Sequence, residues 1–166
     1  TKISFETLNY EAVLPNYADE TFIKVCLDKK SLAFFREHLD VVEEPGARIL
    51  VWRAFYDMVR DAKVSSEDFL KLVERFIPKE SAFTLLNYVL SFASTSLSAY
   101  TPKKFRSRLA HGLYTAVYKL LTKSSHFSLE DQVTLKGKLI SFAKEESDLL
   151  EMKRWLEGEN QELNEF

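Results

Sequence analysis

Apolar positions in this chain change their period near residue 29. Upstream, Lys2-Ile3-Ser4-Phe5-Glu6 alternates polar and apolar, and Phe22-Ile23-Lys24-Val25-Cys26-Leu27 is rich in strand formers. Pro15-Asn16 supplies a turn signal between them, so the pattern predicts two short strands or extended segments. From Lys29 onward the apolar spacing becomes three and four. Leu32, Phe35 and Leu39 fall at i, i+3, i+7 before Pro45-Gly46 breaks the chain. In Arg48–Arg60, one face carries Ile49, Trp52, Tyr56 and Val59, and another carries Val51, Phe55 and Met58. A helix apolar on two faces is central and covered on both sides.

The next helix opens on Ser65-x-x-Asp68, a capping box with aspartate in place of glutamate, and carries Phe69, Leu72, Val73 and Phe76 before Pro78. Ser81–Ala99 follows with Leu86, Val89, Leu90, Ala93 and Leu97. Pro102 suits the first turn of a helix through Phe105, Leu109, Leu113, Ala116, Val117 and Leu120. Ser128-x-x-Asp131 repeats the capping signal and starts a helix towards Ala143 that contains Gly137. Ser147–Leu156 is the last, with Leu149, Met152 and Leu156 on one side and Gly158 as its C′ residue. Seven helices are expected, starting near 30, 47, 66, 81, 102, 128 and 147. Short connections make consecutive helices antiparallel, and the 35–45-residue spacing of the pairs is that of HEAT and armadillo-like units. The expected fold is mainly α: an irregular α-α superhelix preceded by a short β segment.

Composition narrows the class. Hydrophobic residues make up 46% and charged residues 29%, which describes a globular rather than a disordered chain. Four glycines and four prolines are too few for a strand-and-turn architecture. A net charge of −2 gives no global field for nucleic acid or an anionic membrane. No apolar run approaches the roughly 20 residues of a membrane span. The single cysteine, Cys26, excludes an internal disulfide, reads as a small buried hydrophobe, and favours a soluble cytoplasmic setting.

Candidate chemistry is sparse. Asp57 and Asp61 stand at i, i+4 beside Arg53 and Arg60, the pattern of an ion-paired helix face more than of acid–base catalysis. His111 falls mid-helix beside Arg108, as a satisfied or solvent-facing histidine. Lys103, Lys104, Arg106 and Arg108 cluster at a helix start, where cations oppose the helix dipole. A solvated face explains them; alternatively Arg106 and Arg108 attract a carboxylate.

Leu14-Pro15-Asn16, then Asp19, Phe22, Lys24-Val25 and Asp28, are similar to the junction that closes the β-sandwich domain of zinc aminopeptidases of the aminopeptidase N and puromycin-sensitive type. Arg48 and Trp52, with Asp57-Met58-Val59-Arg60-Asp61, resemble that family's R-x-x-x-W…D-M-x-R-D pattern, and Ser65–Glu80 resembles the segment after it. Asp131-Gln132-Val133-x-Leu135 and Trp155-Leu156-x-Gly158 match weaker family spacings. The likeness is specific over residues 13–80 and suggestive beyond about 125. It implies the end of a β-sandwich domain in residues 1–28, part of a C-terminal helical domain in 29–158, and a frayed acidic tail in 159–166.

The resemblance further implies a domain that covers a peptidase cleft and limits the peptides admitted, with Arg106 and Arg108 as candidate chamber contacts. The family's H-E-x-x-H and G-x-M-E-N motifs do not occur. The histidines are His38, His111 and His126, no two closer than 15 positions, and neither Met58 nor Met152 lies in such a loop. No catalytic residue or metal ligand is expected in this chain, and zinc is expected in a catalytic domain elsewhere in the parent. The start at Thr1, without a leader, suggests a fragment. The implied partners are the rest of the enzyme, peptides and, through an uncapped helical end, a second copy. The alternative is a free-standing helical-repeat scaffold that binds a protein.

Overall fold

The computed structural model of the chain describes residues 9–123 and 127–158. Among them lie seven α-helices: α1 (Lys29–His38), α2 (Pro45–Arg60), α3 (Ser66–Phe76), α4 (Phe83–Thr95), α5 (Lys103–Lys123), α6 (Leu129–Phe142) and α7 (Glu146–Leu156). Short 3₁₀ turns at Leu39–Val41 and Ile77–Lys79 extend α1 and α3, and a π-helical turn at Ser96–Tyr100 extends α4.

Local chemistry sets the ends. Asp28 caps α1 by accepting from the amides of Lys30 and Ser31. Ser128 and Asp131 form the full reciprocal box at α6. At α3 only half of the expected box forms: Ser65 accepts from the Asp68 amide, while the Asp68 carboxylate lies 3.5 Å from Arg36 Nη2. Pro102 stands one residue before α5, its carbonyl accepting from the Phe105 amide. Helix α2 ends in a Schellman arrangement, with the Ala62 amide on the Val59 carbonyl and the Lys63 amide on the Met58 carbonyl. Ala62 there has φ 55°, a left-handed position that glycine usually fills. Gly158, at φ 80°, follows α7 as expected.

Two layers result. Glu37 on α1 meets Arg75 on α3 38 residues later, and Glu67 on α3 meets Arg108 on α5 41 residues later. His111 on α5 meets Asp148 on α7 37 residues later. Successive contacts climb both helices together: 37 and 40 against 75 and 79, then 111, 114 and 118 against 148, 151 and 155. Helices α1, α3, α5 and α7 therefore run parallel in one layer. In the other, Tyr56 of α2 stacks on Phe92 of α4 at 4.5 Å, and Lys138 of α6 donates to Ser91 of α4. This is the α-α arrangement the spacing predicted.

The core lies between the layers. Trp52, Phe55, Phe69 and Phe142 are its largest fully buried side chains, with leucines such as Leu86, Leu90, Leu113, Leu120 and Leu135 packed among them. Helix α2 is covered on both faces, as its two apolar stripes required.

Three expectations change. Among the described residues there is no β-strand: Phe22–Leu27 is extended but has no partner strand to form a ladder. Lys2–Glu6 lies outside the described residues. The alternation still orients the segment, burying Leu27 and leaving Phe22 fully exposed. It also turns Cys26 outward, to 3.4 Å from Lys63 Nζ, rather than into the core. Finally, α7 does not pack through Leu149, which is 54% exposed. Its docked side is Asp148, Glu151, Met152 and Trp155, because α5 presents His111, Tyr114 and Tyr118 there.

Candidate functional site

The residues singled out in the N-terminal third build a turn and a clamp onto the first two helices. Asn16, at φ 57°, closes the turn begun by Pro15: its side chain accepts from the Thr21 amide and hydroxyl and donates to the Thr21 carbonyl. Asp28 accepts from the Ser31 hydroxyl at 2.6 Å, and Ser31 Oγ in turn accepts from the Val13 amide at 2.8 Å. Asp61, at the end of α2, pairs with Lys24 of the extended segment. Asp28 and Asp61 thus tie residues 13–28 to α1 and α2, while Asn16 shapes the turn within that segment.

Hydrogen bonding from Ser31, first its hydroxyl and then its amide, lowers the Asp28 pKa below the ordinary carboxylate value. A depressed carboxylate stabilises the fold above its unfolded pKa, near 4, and loses that contribution as pH falls through its folded value. Asp28→Ala is expected to lower unfolding free energy by about 1 kcal/mol at pH 7. The difference from wild type should shrink as pH falls below about 4 and through the lowered folded-state value. Chemical denaturation across that range checks it, and a gap that stays constant with pH would refute the assignment.

Arg48 and Glu80 form the second constellation. Arg48 Nε and Nη2 each donate to a Glu80 carboxylate oxygen at 2.9 Å, and Nη1 donates to the carbonyls of Val42 and Glu43 at 2.7 Å. Glu80 also accepts from the Ser81 and Ala82 amides at the start of α4. Their side chains are 14% and 9% exposed. Beneath them Trp52, 2% exposed, packs edge-on against Phe69 at 5.9 Å. One bidentate pair therefore joins the turn before α2, α2 itself and the entry to α4. Sequence reading found Arg48 but not its partner, which lies 32 residues away.

The two carboxylates at i, i+4 diverge. Asp57 is buried and accepts from Arg60 Nη1 at 3.1 Å, whereas Asp61 turns to Lys24 and Lys63. Tyr100 and then Asp57 push the Arg60 guanidinium further up. This is the geometry of ion pairing, not of a shared proton.

Arg106 and Arg108 also separate. Arg108 reaches Glu67 on α3 at 2.8 Å, on the outside of the odd layer. Arg106 Nε donates to the Thr101 carbonyl at 2.8 Å and lines a shallow pocket with Ser94, Leu97, Ser98, Ser107, Ser141, Phe142 and Lys144. The pocket lies where α4 and α6 end and α5 begins. Two cations and four hydroxyls suit it to an anionic group such as a carboxylate. His111 is satisfied by Asp148, at 2.6 Å from Nδ1, and Asp148 also accepts from the Lys144 and Glu145 amides. Burial, then Glu151, pushes the Tyr114 hydroxyl well above the usual range. Among the described residues no three histidine, cysteine, aspartate or glutamate side chains converge as a metal site requires, so these residues do not fit zinc. No described helix is long and apolar enough to cross a membrane.

These features define a helical α-α domain whose most elaborate polar contacts are structural. Comparison with known proteins places it more narrowly. The model of the ERAP1-like C-terminal domain matches residues 12–164, and the chain belongs to that family. It is also similar to an aminopeptidase N of Streptomyces lividans, at 44% identity over 69 residues. That match covers 42% of this chain and 8% of the relative, so the chain spans only a small part of the relative's length.

Proposed function

We infer that this chain is part of the C-terminal helical domain of a zinc aminopeptidase, where it covers the active-site cleft and limits the peptides that enter. Membership of the ERAP1-like C-terminal domain family is the observation that supports this most directly. The zinc and the hydrolysis of the N-terminal peptide bond are assigned to a catalytic domain of the parent. Residues 1–28 are read as the end of its β-sandwich domain, and residues 29–158 as part of the helical one. The ties made by Asp28 and Asp61, with the turn that Asn16 closes, then fix how the helical layers follow from the preceding domain.

Within this reading, the Arg106 pocket receives a carboxylate of the peptide, and Arg108, committed to Glu67, does not. In the full-length enzyme, Arg106→Ala is expected to reduce kcat/KM for peptides of ten or so residues by about tenfold. Turnover of a single aminoacyl reporter should stay near wild type. Arg108→Ala should leave both unchanged. Equal loss on long and short substrates for Arg106→Ala, or no loss on either, would sink the assignment of this pocket.

A further inference from the structure

Helices α3 and α5 run side by side in the odd layer, and a groove between their C-terminal halves is lined by Lys71, Arg75, Lys79, Lys119 and Lys123 against one carboxylate, Glu74. Each row of cations steps by four residues, Lys71, Arg75 and Lys79 along α3 and its 3₁₀ extension, Lys119 and Lys123 along α5. Thr115, Ala116 and Pro78 form the rest of the lining. The α3 row is held in place by carboxylates: Glu67 on Lys71 at 2.9 Å, Glu37 on Arg75 at 2.7 Å and Asp40 on Lys79 at 3.1 Å. Lys119 and Lys123 are exposed, and neither has an acidic partner among the described residues.

Helix dipoles account for part of this. Arg75 and Lys123 stand in last turns, where a cation is stabilising. Lys71 and Lys119 stand before the last turns, so the rows extend further than the dipole explains.

We propose that this groove binds an extended acidic peptide segment whose carboxylates occupy alternate positions. The register carries the choice. Residues four apart on a helix are about 6 Å apart along its axis, from 1.5 Å of rise per residue. Alternate side chains of an extended chain repeat at roughly 6.6 Å and point the same way. A Glu-x-Glu segment laid along α5 sets one carboxylate against Lys119 and the next against Lys123, while the α3 row closes the other side. Nucleic acid fits less well: no aromatic ring lines the groove, and the whole chain carries a charge of −2.

The test uses the full 166-residue chain and a fluorescein-labelled peptide of four glutamates alternating with glycines, read by anisotropy. Saturable binding that weakens with added salt is expected. The double variant Lys119→Glu/Lys123→Glu should bind about tenfold more weakly or worse, with Lys119→Ala/Lys123→Ala in between and an unchanged far-UV CD melt for both. A peptide with its four glutamates in one block should bind more weakly than the alternating one. Failure of the wild type to saturate, equal binding by the charge-reversed variant, or equal binding of the blocked peptide would overturn the proposal. So would tighter binding of a single-stranded oligonucleotide of the same charge.

Discussion

Replacing Arg48 with alanine is expected to lower the unfolding free energy by about 3–5 kcal/mol, read from urea denaturation at neutral pH. The size of the effect comes from what is left behind. Glu80 is only 9% exposed, and losing the guanidinium leaves its carboxylate with the Ser81 and Ala82 amides alone. The carbonyls of Val42 and Glu43 lose their donor at the same time. Arg48→Lys keeps the charge but supplies a point donor where three guanidinium nitrogens now act, so it should recover only part of the loss. The double variant Arg48→Met/Glu80→Gln removes both charges and should cost less than Arg48→Ala alone, because no uncompensated carboxylate stays buried. A loss below about 1 kcal/mol for Arg48→Ala would mean that water reaches Glu80 and replaces the pair without penalty.

Trp52→Ala should be comparably severe, at about 3–5 kcal/mol, for a different reason. Trp52 is 2% exposed and lies between Phe55 of its own helix and Phe69 of α3, with Arg48 and Glu80 at the rim above it. Truncation removes a large apolar surface and leaves a cavity that two rigid helices cannot close. For a domain of this size the thermal midpoint should fall by roughly 10 °C. Trp52→Phe, which keeps most of the ring volume, should lose far less. Tyr88→Ala is the matched control: Tyr88 is 53% exposed, and its removal should move the midpoint little. Similar losses for Trp52 and Tyr88 would contradict the placement of the core.

Much of the fold was legible because helical amphipathicity is a local signal. All seven helices, the central place of α2 and the pairing period follow from apolar spacing and from caps such as Ser128 and Asp131. What failed was set across the chain rather than along it. The apolar side of α7 reads as Leu149 and Met152, yet the helix docks through Asp148, because the partner it meets on α5 is His111. Cys26 reads as core, but in a strand-like segment without a ladder, alternation alone decides its direction, and it points out. The Arg48–Glu80 pair shows the same limit: both residues stand in segments with a family likeness, while their contact spans 32 positions. Arg106 and Arg108 are two residues apart and form one basic cluster in the sequence, but two positions on a helix differ by about 200°, and they face different neighbours.

The polar contacts that link successive odd helices also bear on how this domain comes apart. Each of α1, α3, α5 and α7 touches its neighbour at Glu37–Arg75, Glu67–Arg108 or His111–Asp148, so the layer is a chain of nearest-neighbour couplings. In such a one-dimensional stack, stability is a sum of unit and interface contributions, and disorder enters from the ends. Helix α7 holds to α5 by His111–Asp148, Tyr114–Glu151 and the stacked rings of Tyr114, Tyr118 and Trp155. Trp155→Ala is therefore expected to loosen α7 from α5 while leaving α2, covered on two faces and held at Arg48, in place.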